Sequence, residues 1–182
     1  MRNAIAVFAT TCLLSLLAAP TARADSSPNA DICASADDSA YSPEQRIAAC
    51  GALIDTLNDQ PQAQAAALVN RGATYWTIDK TDLALADFAR AVALDPKNER
   101  VFRERSNAYR SIGQLDKALI DANKAVELDP NDAAAFDNRA NVFNDNGQYD
   151  RAIADYNEAL RLKPDDPQTF MDRGVAYYFK ED

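Results

Sequence analysis

Residues 136–166 read FDNRANVFNDNGQYDRAIADYNEALRLKPDD, and their apolar spacing sets the local structure. Phe136, Ala140 and Phe143 lie four and three residues apart, as do Ala152, Tyr156 and Ala159, so each set shares one helix face. Between them DNGQYD (145–150) supplies a turn, with Gly147 able to take left-handed backbone angles where the first helix stops. Pro164 cannot continue the second helix and biases Lys163 away from helical geometry. The stretch reads as two antiparallel helices joined by a short turn.

The arrangement recurs every 34 residues, timed by Pro96, Pro130 and Pro164. It gives rows at 65–98, 99–132 and 133–166, and a partial row at 167–182 holding a first helix only. One column is bulky (Leu68, Phe102, Phe136, Phe170) and one small (Gly72, Ser106, Ala140, Gly174). A third is aromatic (Tyr75, Tyr109, Phe143, Tyr177). Alanines align in the second helices at 84, 118 and 152 and at 91, 125 and 159. Gly113 serves the turn of row two, whereas Asp79 stands there in row one, where a less well formed turn is expected. No single row can bury both faces of its helices, so the rows must stack. The proline strings, VALDPKN (92–98), VELDPND (126–132) and LRLKPDD (160–166), read as boundary marks with no ligand role.

This pattern resembles the tetratricopeptide repeat (TPR) family over residues 65–182. The resemblance implies an all-α, right-handed superhelical stack of helix-turn-helix repeats, an α-solenoid. It also implies that the first helices line a concave groove that binds proteins or peptides.

Two columns of charge cross the rows. Arg71, Arg105, Arg139 and Arg173 neighbour the small column, and Asp87, Asp121 and Asp155 lie in the second helices. Structural ion pairs are expected, Arg71 with Asp87, Arg105 with Asp121 and Arg139 with Asp155, because the planar guanidinium suits a bidentate carboxylate. An exposed pair of this kind contributes only about 0.2–1 kcal/mol. Arg173 has no such partner in the sequence. A row of ligand-binding arginines is the rival reading.

By the resemblance, the groove is lined by another stripe of the first helices. Its candidates are Val69 and Trp76 in row one, with Ala66 and Ala73 beside them, and Arg100, Arg103, Asn107 and Arg110 in row two. Row three supplies Asp137, Asn141 and Asn144 after Ala134, and the partial row Met171 and Tyr178 with Gln168 and Val175. Spacings of three and four place each set on one helix face. The groove would run from apolar through cationic and amide-rich to apolar. Amides and guanidinium groups can bond an extended peptide's backbone and carboxylates, and the aromatics offer rigid surface. The stripe is similar to the carboxylate-binding arrangement of some family members, although lysine is absent from it. A solvated charged face, with Glu99 and Glu104 nearby, is the rival.

The ends differ from the rows. Residues 1–24, MRNAIAVFATTCLLSLLAAPTARA, carry an early arginine, an apolar centre and an A-x-A site, the pattern of a secretory signal peptide. Without Arg2 and Arg23 the remaining chain has 17 basic against 28 acidic residues, a net charge of −11. Such a chain is repelled by nucleic acid and by anionic lipid. No further apolar run is long enough to cross a membrane. Residues 25–41 read as an extended linker and 42–58 as a capping helix, with Ser42, Pro43 and Gln45 as its start signal. Cys33 and Cys50 remain once Cys12 is removed, and an exported chain favours their disulfide. The bridge would stabilise by about 3 kcal/mol in the chain-entropy account.

Chemistry is absent from the pattern. The chain has no histidine, which removes Ser–His and Cys–His nucleophile systems and histidine-based metal motifs. VFNDNGQYDRAI (142–153) has Val142 and Ile153 where a calcium loop needs its first and last carboxylates. No enzymatic activity, metal or cofactor is expected. The reading is a protein- or peptide-binding scaffold of the bacterial cell envelope, periplasmic or secreted, for a partner with an acidic or C-terminal carboxylate segment. Self-assembly through the open C-terminal helix and service as an auxiliary subunit of an envelope enzyme are the alternatives.

Overall fold

The computed structural model describes residues 27–35 and 40–181, and the segment 1–24 lies outside them. Within these residues the regular structure is entirely helical. The helices are α1 (Pro28–Ala34), α2 (Pro43–Thr56), α3 (Pro61–Thr77), α4 (Thr81–Leu94), α5 (Glu99–Ser111), α6 (Leu115–Leu128), α7 (Ala133–Asp145), α8 (Tyr149–Leu162) and α9 (Pro167–Glu181).

The extended linker expected at 25–41 is corrected by α1. Ser27 caps it by accepting from the Ala30 N–H, and Pro28 preorganises its first turn. Cys33 is buried and joined to Cys50 of α2 by a disulfide, so tertiary burial overrides a polar local composition. In α2 the Ser42 hydroxyl accepts from the Gln45 N–H, and the Gln45 side chain accepts from the Ser42 N–H at 2.8 Å. That reciprocal pair satisfies two donors the first turn would leave bare. α3 starts at Pro61, four residues ahead of the row that begins at 65.

Each hairpin turns in the same way. Asp79, Gly113 and Gly147 have φ of 59°, 72° and 69°. The next residue's N–H reaches back to the carbonyl of Tyr75, Tyr109 or Phe143, at 2.9, 2.9 and 2.8 Å. This closes the last turn of the first helix and consumes its orphan carbonyls. The second helices end where Asp95, Asp129 and Lys163 donate to Ala91, Ala125 and Ala159. A proline then follows in every row.

The small column is the closest approach. A Cβ placed on Gly72 would lie 2.7 Å from the Phe88 ring. In row two the buried Ser106 hydroxyl donates to the Ala118 carbonyl at 2.9 Å. α3 touches α5, α5 touches α7 and α7 touches α9, whereas α4, α6 and α8 do not touch one another. The first helices therefore form the inner, concave side of an all-α solenoid, and the second helices splay on its outside. α1 and α2 cover the near end of α3.

Candidate peptide-binding groove

Two arginine sets lie at this scaffold, and their surroundings separate them. Arg71 meets Asp87 through Nε and Nη2, both at 2.7 Å. Arg105 with Asp121 and Arg139 with Asp155 repeat the fork at 2.7 and 2.8 Å. Asp87 and Asp121 are only 4% and 3% exposed, so these are enclosed pairs and not the exposed ones the sequence suggested. The carboxylate fork holds Arg71 and Arg105 charged, raising each above the ordinary guanidinium value against the pull of burial.

On the concave side the arginines are arranged differently. Arg103 donates to Asp132 and also lies near Glu99 and Glu104. Arg110 donates to Asp145 at 3.1 Å, and Arg100 stands 3.7 Å from Glu104 with its side chain 44% exposed. The cationic stretch expected in row two is thus neutralised by acids of its own chain. Asp132 closes the string VELDPND, assigned no ligand role above; it caps α7 and also holds Arg103 at the groove.

Row three adds amides. Asn107 accepts from Asn138 at 2.8 Å, and Asn141 donates to Asp137 while accepting from the Tyr156 hydroxyl. Asp137 accepts from Thr169 of α9 as well. Burial nevertheless pushes the Asp137 carboxyl above its usual range, and it does the same to Glu99. Burial also pushes the Tyr156 hydroxyl up, which keeps it a donor. Four buried atoms of residues in this region have no hydrogen-bond partner among the described residues: Glu99 Oε2, Arg110 Nε, Asn138 Oδ1 and Asn144 Oδ1.

At the ends, Trp76 donates from its indole N–H to Ser111 at 3.2 Å. Met171 and Tyr178 are exposed. Val69 is the exception: it is 1% exposed, within the apolar core that runs from α1 to α7, and cannot meet a ligand. Among the described residues no group of metal-ligating side chains gathers, and no helix is long and apolar enough to cross a membrane.

Sequence profiles of the tetratricopeptide repeat match residues 69–133 and 122–154, and one of the TPR repeat matches 140–180. The chain belongs to the tetratricopeptide repeat family. No curated protein matches it. Several solved structures share its fold. The first TPR of Spaghetti (RPAP3), bound to an HSP90 peptide SRMEEVD, aligns with TM-score 0.64 at 22% identity, covering 66% of this chain and 96% of that one. The second TPR domain of human RPAP3, in complex with an HSP70 peptide SGPTIEEVD, gives TM-score 0.61 at 26% identity over 64% and 98%. MamA gives TM-score 0.65 at 23% identity over 76% and 81%.

Sequence reasoning placed Glu99 and Glu104 near the TPR groove arginines but missed Asp132 and Asp145. Asp132 lies 29 residues from Arg103, and Asp145 lies 35 from Arg110. The second offset crosses a row boundary, and Asp132 ends row two as the cap of α7, so only the stacking of α7 on α5 reveals either pairing. The Arg–Asp forks, by contrast, share one offset of 16 within every row.

Proposed function

We propose that this TPR protein is a non-catalytic scaffold that holds a peptide segment of another protein along the concave face of α3, α5, α7 and α9. The observation that carries the reading is unfilled hydrogen-bonding capacity on that face, at Arg110 Nε and Asn144 Oδ1. A buried polar atom without a partner costs about 1–3 kcal/mol, so a ligand that displaces the groups covering it and bonds to it recovers that cost. Trp76, Met171 and Tyr178 give the ligand apolar anchors at either end. Peptide binding by the second TPR domain of human RPAP3 supports the same use of the fold.

A ligand carboxylate would enter by exchange, because every groove arginine already has one. Arg100 is the readiest, being the most exposed and the most loosely paired. Action outside the cytoplasm, in a bacterial periplasm or beyond, is part of the proposal. The Cys33–Cys50 disulfide and the pattern of residues 1–24 support it, since disulfides persist in oxidising compartments.

The test is selection of peptides on the wild-type chain from a random display library, followed by affinities for wild type and for Arg110→Ala/Asn144→Ala. A loss of about tenfold, 1.4 kcal/mol, with unchanged thermal unfolding is expected. Equal affinity for the variant would overturn the proposal.

A further inference from the structure

The concave face lacks donors more than it lacks acceptors. Of its buried atoms without a hydrogen-bond partner, Arg110 Nε is a donor, whereas Glu99 Oε2, Asn138 Oδ1 and Asn144 Oδ1 are acceptors. Asn138 is only 4% exposed. Its amide nitrogen donates to Asn107 of the groove stripe at 2.8 Å, which holds its oxygen at the groove with no donor to meet among the described residues.

Charge is unbalanced in the same sense. Arg103 alone faces three carboxylates, those of Glu99, Glu104 and Asp132. Among the described residues no cation pairs with Asp137, whose two oxygens accept from the neutral Thr169 hydroxyl and Asn141 amide at 2.9 and 3.0 Å. Burial pushes its carboxyl up, and the charges of Asp172 and Asp166 add to that against the Thr169 bond and Arg110. A carboxylate taken out of water is costly unless a cation or a full set of donors meets it.

Beside Asp137 a cavity of about 270 Å³ lies between α7, the end of α8 and the start of α9. Asp132, Asp137 and Asp166 line it together with Thr169 and alanines. The base at its wall, Lys163, is 63% exposed and held by Asp166 at 2.9 Å, turned to the rim and away from Asp137. Acidic heads and alanine walls suit a guest with an apolar stem and a charged tip, the build of lysine and arginine.

We infer that the peptide held on this face carries a lysine or arginine whose stem lies on the alanines of the cavity and whose charged end meets Asp137. The inference rests on the scaffold reading above and adds the chemistry of its ligand. Backbone N–H groups of the same peptide supply the donors that Asn138 Oδ1 and Asn144 Oδ1 lack. With a carboxylate exchanged onto Arg100 of α5, a basic residue at α7 and α9 fixes which way the peptide runs.

The probe is a random peptide display library, selected on the full chain and on its Asp137→Asn variant. The wild type is expected to select peptides that share one lysine or arginine position, and the variant to lose that preference. For a selected peptide made synthetically, glutamine at that position and Asp137→Asn in the chain should each weaken binding about tenfold. Both changes together should cost no more than one alone, because they remove the same pair. Lys163→Gln removes the resident competitor for these carboxylates and should tighten binding about threefold, a direction that damage to the fold cannot mimic. Selected peptides with no common basic position, additive losses, or affinity indifferent to Asp137→Asn and Lys163→Gln overturn the inference and leave the scaffold reading standing. A library that yields no saturable binder overturns both.

Discussion

The arginine forks between the helices of each hairpin and the arginines of the groove use the same chemistry to different ends. Arg71, Arg105 and Arg139 each meet one buried aspartate through two short bonds, and the geometry repeats row after row. Arg100, Arg103 and Arg110 meet acids singly or in shared sets, at varied distances and with more exposure. A contact that repeats with the period belongs to the fold. One that changes from row to row is free to choose a ligand.

Substitution of one member from each set breaks the comparison most sharply. Arg105→Met strands the buried Asp121 carboxylate and is expected to cost about 3 kcal/mol in urea unfolding, at the low end for a broken buried pair. Arg100→Met leaves Glu104 with access to water and should cost less than about 1 kcal/mol. Equal losses would dissolve the distinction. Next in size, Gly72→Ala pushes a methyl against Phe88 and should cost about 1–3 kcal/mol, measured in the same way.

The difference also explains what the sequence disclosed. The hairpins, their turns, the small column and the forks lie at fixed offsets within a row, so one row's spacing predicts the others. Even the substitution of Asp79 for glycine is visible, and it occupies the left-handed turn angle that glycine holds elsewhere. Val69 was misassigned because helical phase places it on the stripe while the apolar core buries it, and neighbours do not follow from phase. Asp132 and Asp145 escaped because their pairing depends on how far one row turns on the next. The helix at Pro28–Ala34 escaped because a disulfide and burial, not local composition, hold it.

Asp79→Gly sharpens the account on the side of the fold. Relieving a non-glycine residue of left-handed geometry should stabilise by about 0.5–1 kcal/mol, read as a raised melting temperature. The groove side has a smaller, pH-dependent signature. Burial raises the Asp137 carboxyl above its unfolded value, so the folded chain binds its proton more tightly. Stability then falls as pH rises from the ordinary carboxylate value through the raised one. Asp137→Asn should flatten that fall in unfolding measured across this window, and an unchanged slope would assign it to other groups such as Glu99.

The central claim is that the concave face, and not the forks, selects the ligand. Its most direct measurement is the affinity of a library-selected peptide for the wild type, for Arg110→Ala/Asn144→Ala and for the charge-swapped fork Arg105→Asp/Asp121→Arg, each paired with its unfolding free energy. The account predicts an affinity loss of about tenfold in the groove variant at near wild-type stability. It predicts retained affinity in whatever fraction of the fork variant remains folded. Wild-type affinity in the groove variant would contradict it.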